Sequence, residues 1–296
     1  VFVSKLSRSI TVTGLVLLAA LLLPALTAGQ PLPTPADFVR NLDVRCYKLP
    51  VLPALGVNLR LDHLNPVLIK LGLQPELNVP IGQPQDLCVP VYKNNAPPPD
   101  TSLPFIRFVD WKCYGITGDS LDLPLNLDQL NPIIAGLFGP KLDVIVREPR
   151  QLCVPVRKNN SFPGNDVGML VRWLDVKCYR VETAQIPNGQ VTLTHLNPLI
   201  NKPPELVTFL NTPPTQLCVP VKKNLAAPPA NILPIVQYAD VLCYRINGQP
   251  LNQTFNLTHQ NPVLVNMNLP PENNIPVGPS DTLCVPVAKN GDFPPG

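Results

Sequence analysis

Two cysteine-bearing motifs alternate four times along this chain, and that alternation limits its fold more than any other feature. Leu-Cys-Val-Pro-Val, followed one residue later by Lys-Asn, occurs at 87–94, 152–159, 217–224 and 283–290. Asp-x-x-Cys-Tyr precedes each of them by about forty residues, at 43–47, 110–114, 175–179 and 240–244. The copies recur every 65 to 67 residues. Self-similarity at a fixed period marks a repeat architecture and overrides the two domains that 296 residues would otherwise suggest. The reading is four units, at 37–97, 104–163, 169–228 and 234–296. A unit so small is near the lower limit for burying an adequate core, so a covalent staple is expected.

All eight cysteines belong to the repeat. Pairing within copies joins Cys46 to Cys88, Cys113 to Cys153, Cys178 to Cys218 and Cys243 to Cys284, and uses every thiol. Joining each copy's last Cys to the next copy's first strands Cys46 and Cys284, so pairing within copies is expected. In the chain-entropy model a closed loop of ~40 residues is worth about 4 kcal/mol. A zinc site needs four ligands, and each copy offers two Cys and at most one His, so neither metal nor cofactor is expected.

The amino-terminal 28 residues read as an export signal: Lys5 and Arg8, an apolar run over 14–26, then Thr27-Ala28-Gly29. The run is interrupted by Pro24 and is too short for the ~20 residues of a comfortable membrane span. After cleavage no membrane association is expected, with an uncleaved anchor as the alternative. Export supplies the oxidising compartment that paired cysteines require, so a secreted or cell-surface location follows. Beyond residue 28 the chain carries 21 basic and 20 acidic side chains, the total of 23 basic residues less Lys5 and Arg8. A net charge of +1 points to no nucleic-acid partner. The first residue is Val and the last copy ends at its own linker, so an alternative start and further copies both stay open.

Within a copy, residues two and four before the first Cys are apolar and the third is always Asp, the period of a half-buried strand. Further back the parity flips, with Phe108, Trp173 and Tyr238 beside Ile106, Val171 and Val236, which suggests a β-bulge or a strand changing sheets. A second alternating run ends each time in Asn-Pro, at Asn65, Asn131, Asn197 and Asn261, where the strand should stop. A less regular portion through Val79, Val144 and Val207 holds one or two more strands, and the Leu-Cys-Val-Pro-Val strand closes the copy. Its central Pro belongs at a sheet edge or a non-bonded position. With no 3.6-residue apolar period, each copy reads as four to six strands. The fold class is therefore all-β: four small disulfide-stapled sandwiches or partly open barrels. Pro-rich spacers at 96–104, 161–168 and 226–234 should hold them in an elongated array.

Four columns of side chains are candidates for chemistry. His63, His195 and His259 share one position, with Gln129 in the second copy, which suits a bond to turn backbone better than catalysis. Asp43, Asp110, Asp175 and Asp240 lack a second carboxylate at fixed spacing, so paired-acid hydrolysis has no partner and a salt bridge to the Lys column or a backbone bond is expected. That column, Lys93, Lys158, Lys223 and Lys289, and the column of Tyr47, Tyr114, Tyr179 and Tyr244 are the candidate contact points for an anionic or saccharide polymer, with packing over the disulfide the commoner use expected of the tyrosines. No nucleophile elbow, phosphate-cradling loop or metalloprotease His pair is present, so no catalytic residue is assigned. Asn159, Asn252 and Asn256 begin Asn-x-Ser/Thr triplets, relevant only where exported chains are glycosylated.

Cys46-Tyr47-Lys48, Asp128-Gln129 and the Leu-Cys-x-Pro-Val-x-Lys-Asn of 87–94 resemble an uncharacterised repeat family of exported bacterial proteins. The resemblance spans 37–296. The residue after Cys-Tyr varies (Gly115, Arg180, Arg245), and His stands in three copies where the family pattern has Gln. It implies export and tandem β-modules and carries no activity. The functional expectation is a non-enzymatic, exported structural or adhesive element contacting envelope polysaccharide or a surface protein. A polymer-binding module is the first alternative, and an enzyme or protease inhibitor the second.

Overall fold

The computed structural model describes residues 30–161 and 163–296; the expected export signal lies outside them. Copy one runs α1 (Pro35–Val39), β1 (Asp43–Lys48), β2 (Asn58–His63), α2 (Pro66–Lys70), β3 (Glu76–Pro80) and β4 (Pro84–Lys93). Copy two runs α3 (Leu103–Ile106), β5 (Trp111–Gly115), β6 (Leu123–Gln129), α4 (Pro132–Phe138) and one long strand, β7 (Lys141–Lys158). Copy three contains α5 (Asn165–Val171), β8 (Val176–Glu182), β9 (Gly189–His195), β10 (Glu205–Phe209) and β11 (Gln216–Lys223). Copy four contains α6 (Leu233–Val236), β12 (Val241–Gly248), β13 (Gln253–His259), α7 (Pro262–Asn266), β14 (Glu272–Val277) and β15 (Ser280–Lys289). The all-β class with four disulfides is as the repeat implies, and all four bonds lie within copies.

The copies are not beads on a line. The strand holding each copy's first Cys pairs antiparallel with the strand holding its second, Cys opposite Cys. That second strand then pairs with the first strand of the next copy: β4 with β5, β7 with β8, β11 with β12. Finally β15 pairs with β1 and closes an eight-stranded barrel. At each junction between copies the register is staggered: Cys88 faces Trp111, Cys153 faces Val176, Cys218 faces Val241 and Cys284 faces Val44. A two-residue stagger at each junction gives a shear of about eight, and eight strands enclose an interior just wide enough for side chains to fill. The expected array of separate modules is thus replaced by one ring, because each barrel strand has two hydrogen-bonding edges and its own copy fills only one of them.

The remaining two strands of copies one, three and four, and in copy two β6 with the first part of β7, form a hairpin outside the barrel, and it does not cover its own copy. β2 pairs with the end of β11, β6 with β15, β9 with β4 and β13 with β7, so each hairpin joins the copy two places along. On its way it covers the wall of the copy between. Leu59, Leu61 and Val79 of copy one pack with Tyr114, Leu152 and Val154 of copy two, and Phe255, Leu257 and Ile275 of copy four pack with Tyr47, Leu87 and Val89 of copy one. The Pro of Leu-Cys-Val-Pro-Val sits where a strand leaves its barrel partner for the hairpin. Its missing N–H costs no ladder bond, and its carbonyl accepts from Leu64, Leu130, Leu196 or Gln260 of that hairpin's copy.

Inside the barrel the eight cysteines form one layer, with Val44, Trp111, Val176 and Val241 on one side of it. The short helices before each first Cys plug that end, bringing Phe38, Val39, Phe105, Ile106, Leu170, Val171, Ile235 and Val236 into the same core. These helices correct the expected bulge. The two apolar parities around Ile106 and Phe108 are one helical turn followed by a bend, whose inward positions fall three or four residues apart. Asn-Pro ends its strand as expected and then starts a helix in three copies, with Asn as the N-cap and Pro in the first turn. The chain returns to its origin at the plug, where Ala36 N donates to Pro295 O at 3.0 Å.

Closure predicts two opposite outcomes. A circular permutant that joins Pro295 to Ala36 and opens the first linker at 97–98 should keep the single cooperative unfolding transition of the parent. A chain lacking one whole copy should lose it, since the hairpin two copies along would then lack its strand and the strand end there its hairpin. Thermal unfolding followed by near-ultraviolet circular dichroism distinguishes closure from an array, in which both chains would melt cooperatively.

Candidate functional site

Every repeated motif proves to be part of the contacts that close the ring. Each Asp of Asp-x-x-Cys-Tyr is buried and forms an ion pair with the Lys at the end of its own copy: Asp43 with Lys93, Asp110 with Lys158, Asp175 with Lys223, Asp240 with Lys289. The same carboxylate accepts from the Asn-Pro asparagine of the next copy, at 3.3 Å for Asn131 on Asp43 and 2.8 Å for Asn197 on Asp110, with Asn65 of copy one reaching Asp240 at 2.7 Å. Burial pushes the Asp43 and Asp110 carboxyls up, and those of Asp175 and Asp240 up to about 6, while the facing ammonium pulls each back down. The lysines are pushed down by the same burial. The Asn of Lys-Asn takes φ near +50° and accepts at 2.9 Å from the amide of Thr192, Asn256, Arg60 or Asn126 in the hairpin two copies along.

The Tyr and Lys columns proposed as polymer contacts are therefore inside the protein. Tyr47, Tyr114, Tyr179, Tyr244, Lys93, Lys158, Lys223 and Lys289 are each at most 1% exposed. The tyrosines do not stack over disulfides. They lie on the outer barrel wall and hydrogen-bond the His column of the copy two along: Tyr47 to His195 at 2.7 Å, Tyr114 to His259 at 2.8 Å, Tyr179 to His63 at 3.1 Å. Gln129 keeps that bond in the fourth site, donating to Tyr244 at 2.6 Å. The His column thus serves a side chain rather than turn backbone, the correction to the sequence reading. Burial lowers His63 to about 3 and His195 and His259 to about 4.

Beside each of these tyrosines sits a fifth column, the residue just before the first Cys. Arg45, Lys112 and Lys177 are buried and pair with Glu205, Glu272 and Glu76, again two copies away. In the fourth site the basic position is Leu242 and the strand residue opposite Leu127, where Glu76 faces Leu61 in copy one, is Leu142. Both leucines belong to one apolar cluster with Phe138 and Phe209, whose rings pack on Tyr244. The ion pair has been exchanged for an apolar contact of similar bulk.

What remains open is the end of the barrel opposite the plug. A cavity of about 1050 Å³ opens there, floored by Cys46 at the cysteine layer and lined by residues from all four copies. Its wall carries Lys48, Arg150, Arg180 and Arg245, the acids Asp86 and Asp281, and the amides of Gln83, Gln85, Gln151 and Gln216. The amides form a chain: Gln216 donates to Gln151 at 3.0 Å, and Gln151 donates to Gln85 at 2.7 Å and Asp86 at 2.6 Å. Gly115 replaces the long side chains of Lys48, Arg180 and Arg245 in copy two, and a Cβ there would stand 2.7 Å from the Gln85 amide. Lys48 bridges Asp86 and Asp281, Arg150 and Arg180 share Glu148, and hydrogen bonds from Arg180 hold the Glu148 carboxyl down at about 2. Arg245 has no acidic partner among the described residues. The mouth is legible in the sequence only as the loose residue after Cys-Tyr and the polar residues before Leu-Cys, which no motif marks.

Among the described residues, no group of three or more His, Cys, Asp or Glu side chains is placed to hold a metal ion. The chain matches no family model, no curated protein and no solved structure, so the likeness to an exported repeat family rests on its motifs alone.

Two stability tests follow. The folded imidazoles stay neutral well below 6.5, whereas those of the unfolded chain protonate there. Their contribution is full above pH 6.5 and is lost as the pH falls towards 4. Replacing His63, His195 and His259 by Gln should flatten the fall in stability over pH 6.5–4 by roughly 2–3 kcal/mol per site. Asp175 and Asp240 act with the opposite sign between about 4 and 6 but equally in both proteins, so the difference between urea midpoints isolates the histidines. Lys112→Leu alone should cost about 3 kcal/mol by leaving Glu272 unpaired, and Lys112→Leu with Glu272→Leu should recover most of it, as Leu242 and Leu142 do naturally. Equal losses in the single and double variants would refute that equivalence.

Proposed function

We propose that this protein is a non-enzymatic, exported element of the cell surface or extracellular space, a rigid structural or adhesive part rather than a catalyst. The reading is carried by one observation: the groups repeated in every copy are consumed in contacts within and between copies. Repetition of this kind serves closure and leaves no repeated set of free acids, bases or nucleophiles among the described residues. Four disulfides accord with an oxidising, extracytoplasmic compartment, and no helix among the described residues is long and apolar enough to cross a membrane.

The polar mouth favours a second reading, binding of envelope polysaccharide. Amides, hydroxyls and guanidinium groups converging on one concavity suit a hydroxylated ligand, and the unpaired Arg245 suits a carboxylate on it. Contact would then be made once per molecule, at one end, rather than four times along a string of beads.

Co-sedimentation of the oxidised protein with cell walls and with insoluble neutral and acidic polysaccharides tests both readings. Binding through the mouth should weaken about tenfold in Arg245→Gln, a substitution that breaks no internal ion pair. Wall binding unchanged in that variant would move the contact elsewhere on the surface. Loss of polysaccharide binding in every form would leave the passive structural role, and a hydrolytic turnover abolished by one substitution would overturn the non-enzymatic reading.

A further inference from the structure

The ring brings the four disulfides into contact with one another. Cys88 Sγ lies 3.8 Å from Cys113 Sγ, Cys153 Sγ 3.8 Å from Cys178 Sγ, and Cys218 Sγ 3.8 Å from Cys243 Sγ. Bonds within copies therefore alternate with contacts between copies around the barrel. The last interval, Cys284 to Cys46, has the same two-residue stagger as the other three. In a linear array, pairing between copies would leave Cys46 and Cys284 without partners. In the closed ring they stand on neighbouring strands with the stagger of the other three junctions, so the layer offers a second complete set of four pairings.

We propose that this sulfur layer is a thiol–disulfide exchange site whose reactant is a small thiol admitted through the mouth. Cys46 lines the mouth cavity, and so marks the bond that an outside thiolate meets first. That thiolate attacks Cys46 Sγ, forming a mixed disulfide and releasing the Cys88 thiolate. Cys88 attacks Cys113 and releases Cys153; Cys153 attacks Cys178 and releases Cys218; Cys218 attacks Cys243 and releases Cys284. The Cys284 thiolate then attacks Cys46 in the mixed disulfide and expels the original small thiolate. Each step makes one S–S bond and breaks one, so no oxidant or reductant is consumed. The product is the set Cys88–Cys113, Cys153–Cys178, Cys218–Cys243 and Cys284–Cys46. Because the thiolates formed within the layer are buried, their charge is disfavoured and the relay is slow, in the range of minutes to hours known for uncatalysed rearrangement.

The inference is tested on the oxidised protein incubated at neutral pH with reduced glutathione, quenched by N-ethylmaleimide at intervals and mapped unreduced by mass spectrometry. Peptides joining Cys88 to Cys113, Cys153 to Cys178 and Cys218 to Cys243 should accumulate, with the glutathione adduct on Cys46 appearing first. Near-ultraviolet circular dichroism should show that folded protein persists throughout. Random pairs such as Cys46–Cys178 at comparable yield, or reduction with no bonds between copies, would overturn the relay. A Cys178→Ser, Cys218→Ser variant should halt it after the first transfer, trapping Cys88–Cys113 with Cys153 alkylated. Should that variant not fold, the order of appearance in the unaltered protein decides alone. These outcomes are independent of whether the mouth binds a polysaccharide.

Discussion

No copy in this protein can bury its own outer wall. The hairpin that would do so is committed to the copy two places along and covers the copy between on the way. This one constraint organises the rest. It forces each strand ending in Lys-Asn to extend beyond the barrel, where Asn at positive φ receives the edge of the incoming hairpin. It places His or Gln against a tyrosine that is distant in sequence. It carries the Asn-Pro turn to the plug end, where Asn bonds a buried aspartate of the preceding copy. The ion pairs are weak as sources of net stability, because burying both charges is costly. Their value lies in geometry: each carboxylate has all its partners only when two successive copies are correctly placed.

The disulfides have a different part. Each joins residues directly opposite on neighbouring strands, so it fixes the register of a barrel pair rather than tethering distant elements. The staple that the small size of one copy seemed to demand is real, but the core it supports is shared. Disulfides and plug helices together form the barrel interior, while the outer wall belongs to the hairpins.

Much of this was legible in the residues one at a time. Strand parity, strand ends at Asn-Pro, pairing of cysteines within copies and the Asp–Lys bridge all follow from local spacing or from repetition. The arrangement of the copies was not. Alternation of Val44, Cys46 and Leu42 shows that one face is buried, yet Arg45 and Tyr47 are buried on the other face too, because a hairpin from copy three or four lies over them. A charged residue between two apolar ones reads as solvent-facing until its partner is known, and Glu205 is 160 residues away. The short helices were missed for a related reason: a single turn of five residues is too brief to display a period. The mouth escaped notice because its residues differ between copies, and repetition draws attention to what stays the same.

The site around Tyr244 shows what a substitution in such a molecule must be matched by. There Leu242 stands for a basic residue, Leu142 for Glu and Gln129 for His, and the three lie in copies four and two. A buried ion pair cannot be dismantled from one side without stranding a charge. Divergence in one repeat is therefore answered in the repeat two places away and not in its neighbour. Two interleaved lineages, one and three against two and four, would drift as pairs within a single chain. Internal duplication, which lets solenoids gain and lose units freely, finds no place to insert a fifth.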